Sequence, residues 1–131
     1  MTDQAEQLRS KIEQYRDIIP KLQPRLLFPF YHYPSILITQ RVTPIKNRLG
    51  LWLVFRKVMA DLKKQNYDRT ETGPLNVKLL SDSVGIVSTV ATRYSKDGQI
   101  LATFGASYTL RKVEDDYRIV VLCIHDVDAV S

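Results

Sequence analysis

Residues 84–126 read VGIVSTVATRYS (84–95), KDGQ (96–99), ILATFGASYTLRKV (100–113), EDD (114–116) and YRIVVLCIHD (117–126). Three runs rich in apolar and β-branched residues alternate with two short polar segments, which predicts a three-stranded antiparallel meander. Asp97-Gly98 is its strongest turn signal, because both central residues of a type I′ turn need a positive φ angle. A two-residue turn there pairs Lys96 with Gln99 and Tyr94 with Leu101.

This register divides the meander between two faces. The face predicted to meet the core holds Val87, Ala91, Arg93, Ala102, Phe104, Ala106, Tyr108 and Leu110. The opposite face holds Ile86, Ser88, Val90, Thr92, Thr103, Ser107 and Thr109. In the last strand, Ile119, Val121 and Cys123 alternate with Val120, Leu122 and Ile124, so both of its sides are apolar. The register of the EDD turn is open, and a shift of one residue would swap which of these side chains, and His125 with them, face inward.

A sheet with apolar residues on both faces needs a cover on each, because a sheet with one wet face alternates between apolar and polar residues. Two helices can cover only one face. We therefore expect the outer face of the sheet to meet a second copy of the chain in a symmetric homodimer. Cys123, flanked by apolar residues, is predicted to be a buried small hydrophobe.

The segments before the meander supply the expected helices. Residues 3–19 predict an amphipathic helix with a capping-box spacing at Asp3 and Glu6, ended by Pro20. Residues 51–66 predict a second helix, with one apolar side formed by Trp52, Phe55, Met59 and Leu62 and widened by Leu51, Val54 and Val58.

The rest of the chain is predicted to be shorter elements. Prolines at 20, 24, 29 and 34 allow only short helical turns between the first helix and a strand, SILIT (35–39). RVTPIKNRLG predicts a loop or one more extended pair, YDRTETGP a polar loop, and NVKLLS a strand before the meander.

Composition predicts one domain over residues 1–131, with 44% hydrophobic and 25% charged residues. No run approaches 18 apolar residues, and the single cysteine excludes an internal disulfide. We expect a soluble cytoplasmic protein with no membrane segment and no cofactor. The net charge of +5 is uneven, because seven cations and no carboxylate lie between Asp17 and Asp61.

Three segments carry a family resemblance: FYHYPSILIT (30–39), LKKQNYDRT (62–70) and residues 93–126. Together with the order of the elements, they resemble the nuclear transport factor two-like superfamily, with its SnoaL-like and ketosteroid isomerase-like members. The resemblance implies an α+β, cystatin-like cone in which N-terminal helices pack in the concave face of a strongly curved, mostly antiparallel sheet. It also implies a pocket at the open end, but no particular activity.

The isomerases and cyclases of that superfamily use a carboxylate base near the first strand. Here residues 33–41 and 99–113 contain no Asp or Glu, and only Tyr15 matches a tyrosine donor. His32 and His125 could both face the opening, where a His/Tyr pair would serve a lyase or isomerase as acid and base. Alternatively, His32 caps a turn and His125 ends a strand. Their spacing of 92 residues predicts no metal site.

Arg93 is the polar residue of greatest interest on the predicted core face. A buried arginine needs an anionic partner. Three arrangements are open: pairing with a carboxylate such as Asp61 or Asp82, pairing with an acidic ligand, or extension of the head group into water near the hairpin tip.

Three functions follow from these patterns. The first is the binding of a small hydrophobic or weakly acidic molecule in an apolar pocket whose predicted residues are Tyr15, His32, Tyr33, Arg93, Phe104, Tyr108 and His125. The second is a homodimeric protein-association module without catalysis. The third is polyanion binding through residues 21–57; because the cations are dispersed there and the last third of the chain is acidic, we expect no nucleic acid partner.

Overall fold

The structure, a computed structural model, describes residues 3–129 and is built around one seven-stranded sheet. The strands are β1 (Tyr31–Ile38), β2 (Val42–Ile45), β3 (Tyr67–Thr72), β4 (Asn76–Leu79), β5 (Val84–Ser95), β6 (Ile100–Val113) and β7 (Asp116–His125). Their order is β2-β1-β7-β6-β5-β3, and β4 also pairs with β5. Only β1 and β7 pair in parallel, so the predicted α+β fold with a mostly antiparallel sheet is confirmed.

Two long helices, α1 (Gln4–Ile18) and α2 (Arg48–Lys64), pack on one face of the sheet. The Asp3 side chain caps α1 by accepting a hydrogen bond from the Ala5 backbone N–H at 3.2 Å. Glu6 does not complete a capping box, because it pairs with Arg9. The proline-rich connection after α1 forms the expected short 3-10 turns, Ile19–Lys21 and Pro24–Phe30, and a third such turn spans Val127–Ala129.

The core fills the space between the helices and the inner face of the sheet, with side chains at most 5% exposed. It includes Leu8, Ile12 and Tyr15 of α1, Leu51, Phe55 and Met59 of α2, and Val87, Ala106, Leu110, Ile119 and Leu122 of the meander. The buried side of α2 holds Leu51, Phe55, Met59 and Leu62 of the predicted apolar stripe, but not Trp52. Leu51 is fully buried, whereas Trp52 is half-buried, with the Arg56 guanidinium 5.1 Å from its ring centroid.

The hairpin between β5 and β6 confirms the predicted inner face, although its turn and its pairing near the turn differ from the prediction. The turn has three residues, because Gly98 N–H donates to the Ser95 carbonyl and Gly98 has the positive φ of +83°. Tyr94 therefore lies opposite Ile100, not Leu101. The extra residue Leu101 then forms a bulge, which restores the predicted pairs from Arg93 onward, such as Ala91 with Phe104.

A second bulge changes the faces of β7. Leu110 pairs with Ile119 but Thr109 pairs with Val121, so Val120 is the extra residue. Ile119 consequently shares the inner face with Leu122 and Ile124, and the predicted grouping of Ile119 with Val121 and Cys123 is wrong. This shift places His125 opposite Gly105, on the outer face.

Two further expectations need correction. Residues 67–72, predicted as a loop, form β3 and pair with β5, with Thr70 opposite Arg93. An edge strand can be polar, because its backbone pairing does not require an apolar pattern. Cys123 is half-buried on the outer face rather than fully buried.

Candidate functional site

A cavity of about 450 Å³ lies between the two helices and the inner face of the sheet. Its walls are mostly apolar and include Ile12, Phe55, Val58, Met59, Leu122 and Ile124. Four of the predicted site residues line it: Tyr15 from α1, Arg93 from β5, and Phe104 and Tyr108 from β6. The period-two alternation of strands explains why Phe104 and Tyr108 face the same side.

Arg93 has no carboxylate partner within residues 3–129. Its guanidinium lies 4.8 Å from the centroid of the Phe104 ring, and it forms no hydrogen bond or ion pair with the residues described. The sequence-based pairing with Asp61 or Asp82 is therefore wrong; both are exposed, Asp61 at the edge of the cavity and Asp82 in the turn before β5. Arg93 is half-buried, and burial lowers its pKa. Its guanidinium nitrogens are not fully buried, so the predicted extension of the head group toward water remains open beside pairing with an acidic ligand.

Aromatic residues form the inner end of the cavity around Tyr15. The Tyr15 hydroxyl lies 2.8 Å from the Tyr31 hydroxyl, and the Tyr15 ring makes edge contacts with Phe30, Tyr31 and Tyr108 at centroid distances of 5.6–5.9 Å. Burial raises the pKa of Tyr108 to about 12 and raises the pKa values of Tyr15 and Tyr31. At neutral pH these three phenols are protonated. Tyr108 donates to no other residue among 3–129.

The edge of the cavity is polar. Thr70 and Thr72 of β3 and Gln65 after α2 line it, together with Asp61. Arg16 also reaches this edge, but its guanidinium is already occupied: it donates to Thr72 Oγ1 at 3.0 Å and pairs with Asp17 at 2.9 Å. Arg93 is thus the one uncompensated cation among the described lining residues.

Three predicted site residues lie outside the cavity. His32 follows the inward-facing Tyr31 on β1, and its Nδ1 lies 2.8 Å from the Pro34 carbonyl oxygen. Tyr33 packs against the core but donates its hydroxyl to the Phe28 carbonyl at 3.1 Å. Both side chains were predicted to line the pocket, and neither does. His32 alternates with the inward-facing Tyr31 on β1, and the Tyr33 hydroxyl is held by the hydrogen bond to Phe28.

His125 lies on the outer face because of the bulge at Val120. Its Nε2 lies 2.7 Å from Ser107 Oγ and its Nδ1 2.8 Å from the Asp126 carbonyl oxygen. The ring covers the backbone of Gly105 so closely that an added Cβ there would lie 2.4 Å from His125 Nδ1. A histidine fixed in this way cannot act on a molecule inside the cavity.

The basic stretch of residues 21–57 offers little surface for base stacking. Phe30 and Tyr31 are buried in the core, at 7% and 1% exposure. Arg48 lies over the Phe28 ring, 5.7 Å from its centroid. Residues 3–129 hold no group of three His, Cys, Asp or Glu side chains able to bind a metal ion, and no helix there is long and apolar enough to cross a bilayer.

Residues 6–127 match the model of the NTF2-like protein (DUF6841) family. The chain belongs to this NTF2-like family. The match covers α1 from its third residue onward, all of α2 and the whole meander, and it confirms the superfamily that the sequence resembles. No curated protein sequence is similar enough to count as a relative.

Solved structures share the NTF2-like fold at low sequence identity. A protein from Xanthomonas campestris, assigned as a calcium/calmodulin dependent protein kinase II association domain, superposes with a TM-score of 0.74 at 12% identity, covering 98% of this chain and 91% of that one. A ketosteroid isomerase-like protein from Erwinia carotovora atroseptica has a TM-score of 0.71 at 13% identity, covering 97% and 98%. A cystatin-like domain of unknown function from Nostoc punctiforme has a TM-score of 0.76 at 15% identity, covering 95% and 78%. These likenesses show the fold alone.

Some residues of the NTF2-like cavity were missed from the sequence. Thr70 and Thr72 were assigned to a loop, although their spacing of two residues places them on one side of a strand. Leu37 lines the cavity from β1, in register with Leu122 of β7. This parallel pairing joins segments distant in sequence, so no local pattern indicated it.

The buried tyrosines predict a loss of stability at high pH. Near pH 10 and above, the unfolded chain releases phenol protons that the folded chain keeps, because the folded pKa of Tyr108 is about 12. The stabilisation is complete below the unfolded pKa and falls as the pH rises toward the folded one. Tyr108→Phe should lessen this fall by about 1.4 kcal/mol per pH unit between these two pKa values.

Urea unfolding of the wild type and Tyr108→Phe at several pH values between about 8 and 11 measures this slope. An equal pH dependence in the two proteins would show that the Tyr108 phenol is not held in its neutral form by the fold.

Proposed function

We propose that this protein binds a small, mostly apolar molecule inside the cavity. The observation that supports the proposal is the open space of about 450 Å³ in the middle of the fold, a size typical of ligand sites. Phe55 and Met59 contribute to its wall without closing it, and Trp52, which could have filled it, lies outside.

The chemistry of the lining favours binding over acid–base catalysis. Asp61 is the one carboxylate among the described lining residues, and it is exposed at the edge. A lyase or isomerase using histidine would need His32 or His125 in the cavity, and both lie outside it. The aromatic and aliphatic walls can hold an apolar body by burial from water.

A neutral fluorescent probe tests the proposal. N-Phenyl-1-naphthylamine should bind at one site per chain, with increased fluorescence, because the cavity offers a concave, mostly apolar surface. Ala102→Phe places a large ring in the cavity and should weaken binding by about tenfold or more, since bulk that occupies the site excludes the probe.

Ala60→Phe is the matched control. Ala60 is exposed on α2 and does not line the cavity, so this variant should bind like the wild type. Circular dichroism checks that both variants fold. The proposal fails if the wild type shows no saturable binding, or if Ala102→Phe binds as tightly as Ala60→Phe.

A second function, homodimeric association through the outer face, is supported by a separate observation. The centre of that face carries half-buried, uncharged side chains: Ile86, Ser88, Val90, Thr92, Ser107, Val121 and Cys123. Depletion of charge is typical of the centre of an interface. A fold neighbour assigned as an association domain supports the same proposal.

Light scattering after size-exclusion chromatography tests the dimer. The wild type should elute with about twice the 15.1 kDa chain mass, and Val90→Arg should shift it to the monomer, because a charge would be buried in the interface. Val42→Arg, at a site 68% exposed on the edge strand β2, should remain dimeric. A monomeric wild type would rule this association out.

A further inference from the structure

Arg93 indicates the charge of the proposed ligand, because its guanidinium has no anionic partner among residues 3–129. The guanidinium carries N–H donors that no residue among 3–129 accepts from, and it lies 4.8 Å from the centroid of the Phe104 ring. Arg93 is half-buried, and a cation partly removed from water in an apolar site is stabilised by an opposite charge or by hydrogen bonds. Arginine stays ionised under all ordinary conditions, so it cannot relieve this cost by losing its proton.

We propose that the cavity binds a small monocarboxylate, with its carboxylate paired to Arg93 and its apolar body against the aromatic wall. This inference rests on the proposed binding function and names the class of ligand. The planar guanidinium matches a carboxylate in two parallel hydrogen bonds, a fit that a neutral amide or alcohol cannot reproduce.

The charges around the site favour a single negative charge. Arg16, the other arginine lining the cavity, already pairs with Asp17 and Thr72. Asp61 at the edge adds a negative charge, which opposes a second anionic group. One cation in an apolar site therefore balances a monoanion and leaves a dianion such as a phosphate monoester undercompensated.

The strands set the direction of the ligand. Arg93 lies opposite Ala102, near the hairpin end of β6, whereas Tyr108 lies six residues further along the same strand. At about 3.3 Å per residue, this separation is about 20 Å between backbone positions, and the side chains lean into the space between them. The carboxylate would lie toward the hairpin end, and the body would extend toward Tyr15 and Tyr108.

Calorimetry with a matched pair of probes tests the inference. We expect 2-naphthoate to bind the wild type about 10- to 100-fold more tightly than 2-naphthamide, which has the same shape and no charge. Naphthyl phosphate, a dianion near neutral pH, should bind more weakly than 2-naphthoate. Methionine has an apolar side chain similar in length to the arginine stem. Arg93→Met should therefore still bind 2-naphthamide but should no longer prefer 2-naphthoate.

Arg25→Met is the control, because Arg25 is exposed and does not line the cavity, so its loss should change the preference by less than about threefold. Circular dichroism checks that Arg93→Met folds like the wild type. If neither naphthoate nor naphthamide binds and the neutral fluorescent probe fails as well, the proposed function is wrong. If the wild type binds both equally, or prefers the phosphate, the function stands and the carboxylate assignment is wrong.

Discussion

The pairing of β5 with β6 determines which side chains meet beneath the two helices. Their register sets Arg93, Phe104 and Tyr108 on the inner face, and the helices add Tyr15 and Phe55 opposite them. A shift of one residue in this pairing would move every one of these strand side chains to the outer face. The cavity, the core and the surface opposite them all depend on this one register.

The two bulges have different consequences for that register. Near the turn, the loop is one residue longer than predicted, and the bulge at Leu101 restores the predicted pairing. The inner face of β5 and β6 beyond the bulge is therefore the predicted one. In β7 nothing compensates the extra residue Val120, and the strand changes faces there. Ile119 and Leu122 can therefore both pack in the core, and His125 moves to the outer face, over Gly105.

Arg93 places a positive charge in a cavity whose walls are mostly apolar. Arg93 is surrounded by phenols and phenylalanine, and every carboxylate described lies too far away to pair with it. An anionic ligand is the partner that we propose for this arginine.

The sequence predicted the helices, the meander and the inner face of β5 and β6, because these rest on local periodicity and one strong turn. It also predicted Tyr15, Arg93, Phe104 and Tyr108 as site residues, the three strand residues from the face assignment and Tyr15 from the family resemblance. It failed for His125, since nothing in YRIVVLCIHD (117–126) reveals a bulge between two β-branched residues. It also missed β3, whose polar side chains give an edge strand no apolar alternation.

A crystal structure of the protein, purified without added ligand from buffer free of small carboxylic acids, tests the account most directly. We expect an open cavity with the Arg93 guanidinium inside it, contacting Phe104 and paired only with water or with a molecule carried through purification. An Arg93 guanidinium paired with a carboxylate of the chain itself, or a cavity filled by side chains, would contradict the account.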